Sequence, residues 1–151
     1  MKKDLPHEPP PVFFVDRDLD GNVFTAILQN AGIRIERHQA HFVHDIPDYE
    51  WIAEAGKRSW YVLTHDKMIR HRMQELNAVK ENNVGMFILV GKASHAELAS
   101  VFAAMIQKVD RFIRKNDRPF IAKIYRPAPS QKDKLKASGQ IMMWKSFREE
   151  Q

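Results

Sequence analysis

The sequence predicts an α/β layered domain built on a mostly parallel sheet, and three observations predict it. Unbroken apolar runs, Val12-Phe13-Phe14-Val15, Trp60-Tyr61-Val62-Leu63 and Met86-Phe87-Ile88-Leu89-Val90, suit strands buried on both faces. Stretches with apolar residues at helical spacing separate these runs. Strand and helix signals alternate across residues 12–126. The 151 residues allow one sizeable core, and 44% hydrophobic with 28% charged residues is a globular mixture.

Residues 1–11 are Pro-rich and polar, which predicts a leader without fixed structure; they lack the apolar stretch of a signal peptide. The first strand ends abruptly at Asp16. Val23, Ile27, Leu28 and Ala31 then mark a helix that Gly32 stops. Residues 33–36 alternate in polarity, as an outer strand does. A second helix over Asp48–Lys57 carries Trp51, Ile52 and Ala55 ahead of Gly56, and Ile69, Met73, Leu76 and Val79 mark a third. Ser94 and Glu97 form a capping-box pattern that opens one long helix through Leu98, Val101, Phe102, Met105, Val109 and Phe112. Residues 120–124 alternate like a second outer strand. Pro127, Pro129 and Ser130 then break the pattern, and Lys132, Lys134 and Lys136 form a basic stretch. The last apolar cluster, Ile141, Met142, Met143, Trp144 and Phe147, belongs to a tail over 127–151 that either docks on the domain or folds against a partner.

Charge is unevenly spread. Of 24 basic and 19 acidic residues, 11 basic and 4 acidic lie from Arg111 onward, whereas the preceding part is slightly acidic. A polyanionic partner met by the C-terminal part fits this distribution, as does a solvated basic face. Cysteine is absent, which excludes disulfides, thiolate metal sites and a cysteine nucleophile. No apolar run approaches the roughly 20 residues that span a bilayer, so a soluble cytoplasmic protein without membrane contact is expected.

The candidate chemistry lies in aspartates. In open parallel sheets, ligands gather beyond the carboxyl ends of strands. One predicted strand runs into Asp16, another through Thr64 and His65 to Asp66, and Asp48 begins a helix that leads into the second of these strands. Carboxylates converging from separate segments repel unless a cation neutralises them, and oxygen-only ligands favour Mg²⁺ or Mn²⁺. Asp18 crowds the same loop as a further ligand candidate, together with Asp20. Each aspartate also has a plainer reading, as a helix cap for Asp48 and Asp66 and as a turn or cap residue for Asp18 and Asp20.

The order Phe13-Phe14-Val15-Asp16-Arg17-Asp18-Leu19, Ile46-Pro47-Asp48-Tyr49-Glu50-Trp51, then Val62-Leu63-Thr64-His65-Asp66-Lys67 resembles a PIN-like domain, closest to the VapC-type toxin branch. The resemblance runs over 12–126 and implies a three-layer α/β/α domain. It also implies a Mg²⁺- or Mn²⁺-dependent endoribonuclease whose acids match Asp16, Asp48 and Asp66, an RNA substrate and an antitoxin partner. Two departures stand out. The family's second acid is often glutamate, so Glu50 competes with Asp48; and Lys67, Met68 and Ile69 stand where a fourth acid often follows, Glu75 being the next. One metal, or a second held only weakly, rather than a firm two-metal site follows from this, and a catalytically silent module that binds a protein or nucleic acid is the rival reading.

Around these acids, Thr64 is placed to bond an acidic ligand or the attacked phosphate. Arg17 is placed for phosphate contact or for balancing the acids, and Lys67, Arg70, His71 and Arg72 for the RNA backbone or for solvent. His38, His41 and His44 have an even spacing that invites zinc, but Asp45 and Pro47 favour a loop there. Trp51 and Trp60 suit core packing better than base stacking. Asp18-Leu19-Asp20-Gly21-Asn22 also resembles the nucleophile loop of haloacid-dehalogenase phosphatases, which needs a strand running directly into Asp18. A receiver-type phosphoacceptor pair, Asp66 with Lys123, needs Asp66 to follow its strand at once. Neither condition holds. The apolar cluster of the tail is expected to pack on the antitoxin or on a second copy of the chain.

Overall fold

A computed structural model describes residues 9–127 and 139–147. The start of the leader, Pro129, Ser130 and the lysines at 132, 134 and 136 lie outside the described residues. Six strands, β1 (Val12–Val15), β2 (Arg34–Arg37), β3 (Tyr61–Thr64), β4 (Gly85–Val90), β5 (Phe120–Tyr125) and β6 (Gln140–Ser146), form one sheet in the order β2-β1-β3-β4-β5-β6. The first five are mutually parallel, and β6 runs antiparallel to β5. Helices α1 (Asn22–Asn30), α2 (His38–His41), α3 (Asp48–Lys57), α4 (Met73–Glu81), α5 (His95–Ala104) and α6 (Ile106–Lys115) connect them.

The period-2 alternation of the strands divides the core between two faces. Phe13, Val15, Leu63, Phe87, Leu89, Phe120 and Ile124 meet Phe24 and Leu28 of α1, Leu98 and Phe102 of α5, and Val109 of α6. Their sequence neighbours Phe14, Val62, Met86, Ile88 and Ile121 meet Trp51 and Ile52 of α3 and Ala78 and Val79 of α4. Helices thus cover both sides, giving the three-layer α/β/α arrangement. Among the described residues, no helix is long and apolar enough to cross a membrane.

Four sequence expectations change. Residues 120–124 are not an outer strand, because 140–146 pair with them as β6. Phe147 is buried in the second core cluster and Trp144 packs against it, so this part of the tail lies on the domain. The single helix expected from Ser94 to Phe112 divides at Met105, a buried residue with φ −97° and ψ 5°. Its start is as the sequence implies: the Glu97 N–H donates to Ser94 Oγ at 3.1 Å. The third helix is interrupted by a 3-10 turn over Ile69–His71, after which α4 starts afresh with Met73 68% exposed rather than buried.

The loop expected around the three histidines contains a one-turn helix, and their side chains do not converge. His38 is buried among Phe14, Phe42 and Trp51, where desolvation holds its pKa below the usual value. His41 instead pairs with Glu36 at 2.6 Å.

Gly56 is where α3 approaches the turn after α4. A Cβ there would press on the Asn82 carbonyl and sit 2.7 Å from Val84 Cγ2. Gly56→Ala is expected to cost about 1–3 kcal/mol through overpacking against backbone, read as a lowered thermal midpoint.

Candidate active site

The chain leaves β1, passes through α1 to β2 on one side, and returns through α3 to β3 on the other side of β1. The carboxyl ends of β1 and β3 therefore flank a topological switch point, where parallel sheets open a crevice for ligands. Asp16 follows β1 directly and is only 4% exposed. Its Oδ1 accepts the Arg17 N–H at 2.6 Å and its Oδ2 accepts the Thr64 hydroxyl at 2.7 Å. Thr64 Oγ1 in turn accepts the Asp66 N–H at 3.1 Å, so a buried threonine ties the two strand-end aspartates together.

Asp16's carboxyl is pushed up to about 8, first by burial and then by the charges of Asp18 and Asp48, against the lowering effect of the Thr64 and Arg17 hydrogen bonds. Asp18 is raised as well. Although it belongs to an exposed residue, desolvation of its carboxyl leads, followed by repulsion from Asp66; bonds to Asp16 and to the His65 backbone oppose the rise. Of the two lesser ligand candidates, Asp18 therefore joins the acids. The carboxylate of Glu50, exposed in the first turn of α3, makes no hydrogen bond or ion pair among the described residues.

Asp48 is not a helix cap, since Pro47 occupies that position. Its Oδ1 accepts from Arg17 Nη2 at 3.0 Å and from Trp51 Nε1 at 2.9 Å. Arg17 also donates to the His44 and Ile46 carbonyls, so its guanidinium balances Asp48 and staples the preceding loop rather than standing free for phosphate. Trp51 is fully buried, as core packing requires. Asp66 does shape its own turn, through the Met68 N–H on Oδ1 at 3.0 Å, while Oδ2 accepts from Arg72 Nη1 at 3.1 Å. Lys67 is exposed beside it, and the Arg70 side chain lies outside the described residues. Asp20 is engaged elsewhere, by Arg37 at 2.6 Å and the Gln39 N–H at 2.8 Å.

Two residues complete the site that the sequence did not single out for it. Arg72, expected on a solvated face or along RNA, stays partly exposed but reaches the acids. Its Nη1 lies 3.1 Å from Asp66 Oδ2, 3.4 Å from Asp48 Oδ2 and 3.4 Å from Glu75 Oε1. Glu75 is buried on the same face of α4 as Ala78 and Val79, a spacing of three and four that was readable in advance. The signal was obscured because an unbroken helix from Ile69 would have turned Met73 inward instead.

Five carboxyls (Asp16, Asp18, Asp48, Asp66 and Glu75) thus share one end of the sheet with two guanidiniums, Arg17 and Arg72. In kind and charge this donor set suits a hard divalent cation. Among the described residues, no three Asp, Glu or His groups stand in position to hold a metal ion. The Arg72 guanidinium lies among three of these carboxyls, Asp48, Asp66 and Glu75.

A family model described as PIN like domain matches residues 11–91, which contain β1 to β4 and all five carboxyls. No curated protein and no solved structure matches the chain.

Proposed function

The chain belongs to the PIN-like domain family, whose members are often nucleases, and from that premise we propose that it is a Mg²⁺- or Mn²⁺-dependent endoribonuclease. The observation that supports this most is that Asp16, Asp48 and Asp66, from three separate segments, lie at the same end of a parallel sheet, beside its switch point. Asp16, Asp48 and Asp66 would hold the ion, with Asp18 beside them. When bound, the ion supplies Lewis-acid activation of water and charge compensation at the RNA phosphodiester.

The chain's own residues prepare that chemistry. Thr64 and the Arg17 N–H fix both oxygens of Asp16, which reduces the ordering needed when substrate arrives. At neutral pH Asp16 holds a proton that a bound cation would displace. Arg17 neutralises Asp48 and anchors the loop 44–46 at the rim. Lys67, exposed next to Asp66, is placed for a phosphate of the RNA backbone, and Arg70 is assigned the same task from its position in the sequence.

A role as toxin, with an antitoxin partner or a second copy of the chain, belongs to the same proposal and rests on the family resemblance. Among the described residues β6 ends the sheet, and its outer edge, with Met142 exposed, would be a surface for either. The rival, a catalytically silent interaction module, draws on one observation, the guanidinium of Arg72 among the acids.

The test is cleavage of single-stranded RNA by the full chain in Mn²⁺ and in EDTA, alongside Asp66→Asn. Cleavage that needs Mn²⁺ and disappears in the variant supports the enzyme. Equal cleavage by the variant, or none by either protein with no thermal shift in Mn²⁺, favours the silent module.

A further inference from the structure

The end of the sheet opposite the acids has its own chemistry. A cleft of about 650 Å³ opens there, where β1, β2 and β3 begin, and four arginines line it: Arg34, Arg58, Arg114 and Arg118. Two of them are held in place by aromatic rings. The Arg58 guanidinium carbon lies 5.0 Å from the centre of Trp60, and that of Arg118 lies 4.8 Å from Tyr61. Stacking of this kind fixes the guanidinium plane and leaves its N–H edges directed outward, the geometry that phosphate oxygens accept. Arg118 is fixed further by donating to the Ser59 carbonyl at 3.1 Å.

Part of this set is engaged within the chain. Glu54 takes Arg58 Nε at 2.7 Å, and His41 Nδ1 lies 3.4 Å from Arg58 Nη1. Asp110, the one carboxyl in the lining, faces Arg114, and burial raises its pKa against that arginine's pull. The Arg34 guanidinium is exposed and makes no hydrogen bond or ion pair among the described residues. Pro10, Pro11, Val12 and Ile113 give the cleft an apolar wall beside its charged one. A volume within the usual range of small-ligand pockets, one polar wall with anion-binding forks and one apolar wall together describe a nucleotide-sized ligand.

We propose that this cleft binds a nucleoside phosphate, with the arginines on its phosphate oxygens and the proline-rich wall against its base or ribose. The ligand is either a free nucleotide or one unit of an RNA strand. The site is separate from the acids and does not depend on metal.

Two binding arms in EDTA separate the sources, using the full chain: anisotropy of a fluorescein-labelled single-stranded RNA, and calorimetry with ATP. The double variant R34E/R114E is expected to weaken by at least tenfold whichever arm binds to wild type, with the milder R34Q giving a smaller loss should the double variant melt early. RNA binding alone assigns the site to a strand, and ATP binding alone to a free nucleotide. Binding equal to wild type in the folded variants overturns the proposal, as does failure of wild type to bind either probe. Because the readout is the difference between wild type and variants altered at the opposite end of the sheet, with metal absent from both, either result stands apart from the nuclease reading.

Discussion

Arg72→Gln is expected to bind Mn²⁺ at least about tenfold more tightly than the wild-type chain, a gain of about 1.4 kcal/mol. In the metal-free protein the Arg72 guanidinium is a tethered cation shared by Asp48, Asp66 and Glu75. A divalent ion taking Asp48 and Asp66 must displace it, so its charge competes with the ion for the same oxygens. Glutamine keeps a donor but removes the charge. The same variant should melt lower in EDTA, since Glu75 is buried and would lose its ionic partner. The loss should be near 1 kcal/mol, because Arg72's side chain is 44% exposed and its pairs are screened. A Mn²⁺ titration of the thermal midpoint reads both effects at once. Affinity no tighter than wild type would show that Arg72 does not oppose the ion, and weaker affinity would show that it arranges the ligands instead.

The second large effect belongs to Asp16. Its folded pKa of about 8 stands well above the ordinary 3.8, so between those values the folded chain holds a proton that the unfolded chain has released. Folding then takes up a proton, and stability falls as pH rises from about 4 to about 8, levelling beyond. Asp16→Asn removes that burden. In EDTA the variant should gain on wild type as pH rises, the difference in thermal midpoint growing from pH 4 to pH 8 and closing again in acid. With Mn²⁺ the order should reverse, since only wild type offers the anionic ligand, and RNA cleavage should fall by about a hundredfold or more, the scale seen when a transition-state electrostatic partner is lost. Parallel pH profiles for the two proteins in EDTA would remove Asp16 as the source of the slope.

Much of this was legible in the chain. The runs at 12–15, 60–63 and 86–90 are unbroken because β1, β3 and β4 are covered on both faces, and a residue's neighbours do not need to alternate when both sides are apolar. Asp16 and Asp66 were visible because each follows such a run. What escaped depends on geometry that periodicity does not encode. The turn over Ile69–His71 resets the phase of the following helix, exposing Met73, burying Glu75 and swinging Arg72 onto the acids. The break at Met105 is similar: no Pro or Gly marks it, and apolar spacing runs straight through. Residues 120–124 looked like an edge because the strand that covers them lies beyond a Pro- and Lys-rich stretch.

The order of elements along the chain has a consequence for synthesis. All five carboxyls, and β1 to β3 that carry or brace them, precede residue 82, whereas α5, α6, β5 and β6 follow. At a ribosomal rate of about 5–20 residues per second, the later half takes several seconds to appear. During that interval the growing sheet has α3 and α4 for one face, but Phe13, Leu63 and Phe87 still lack α5 and α6 on the other. The nascent chain thus presents its acidic end before its second apolar face is sheltered, which makes that face a natural client for ribosome-associated chaperones.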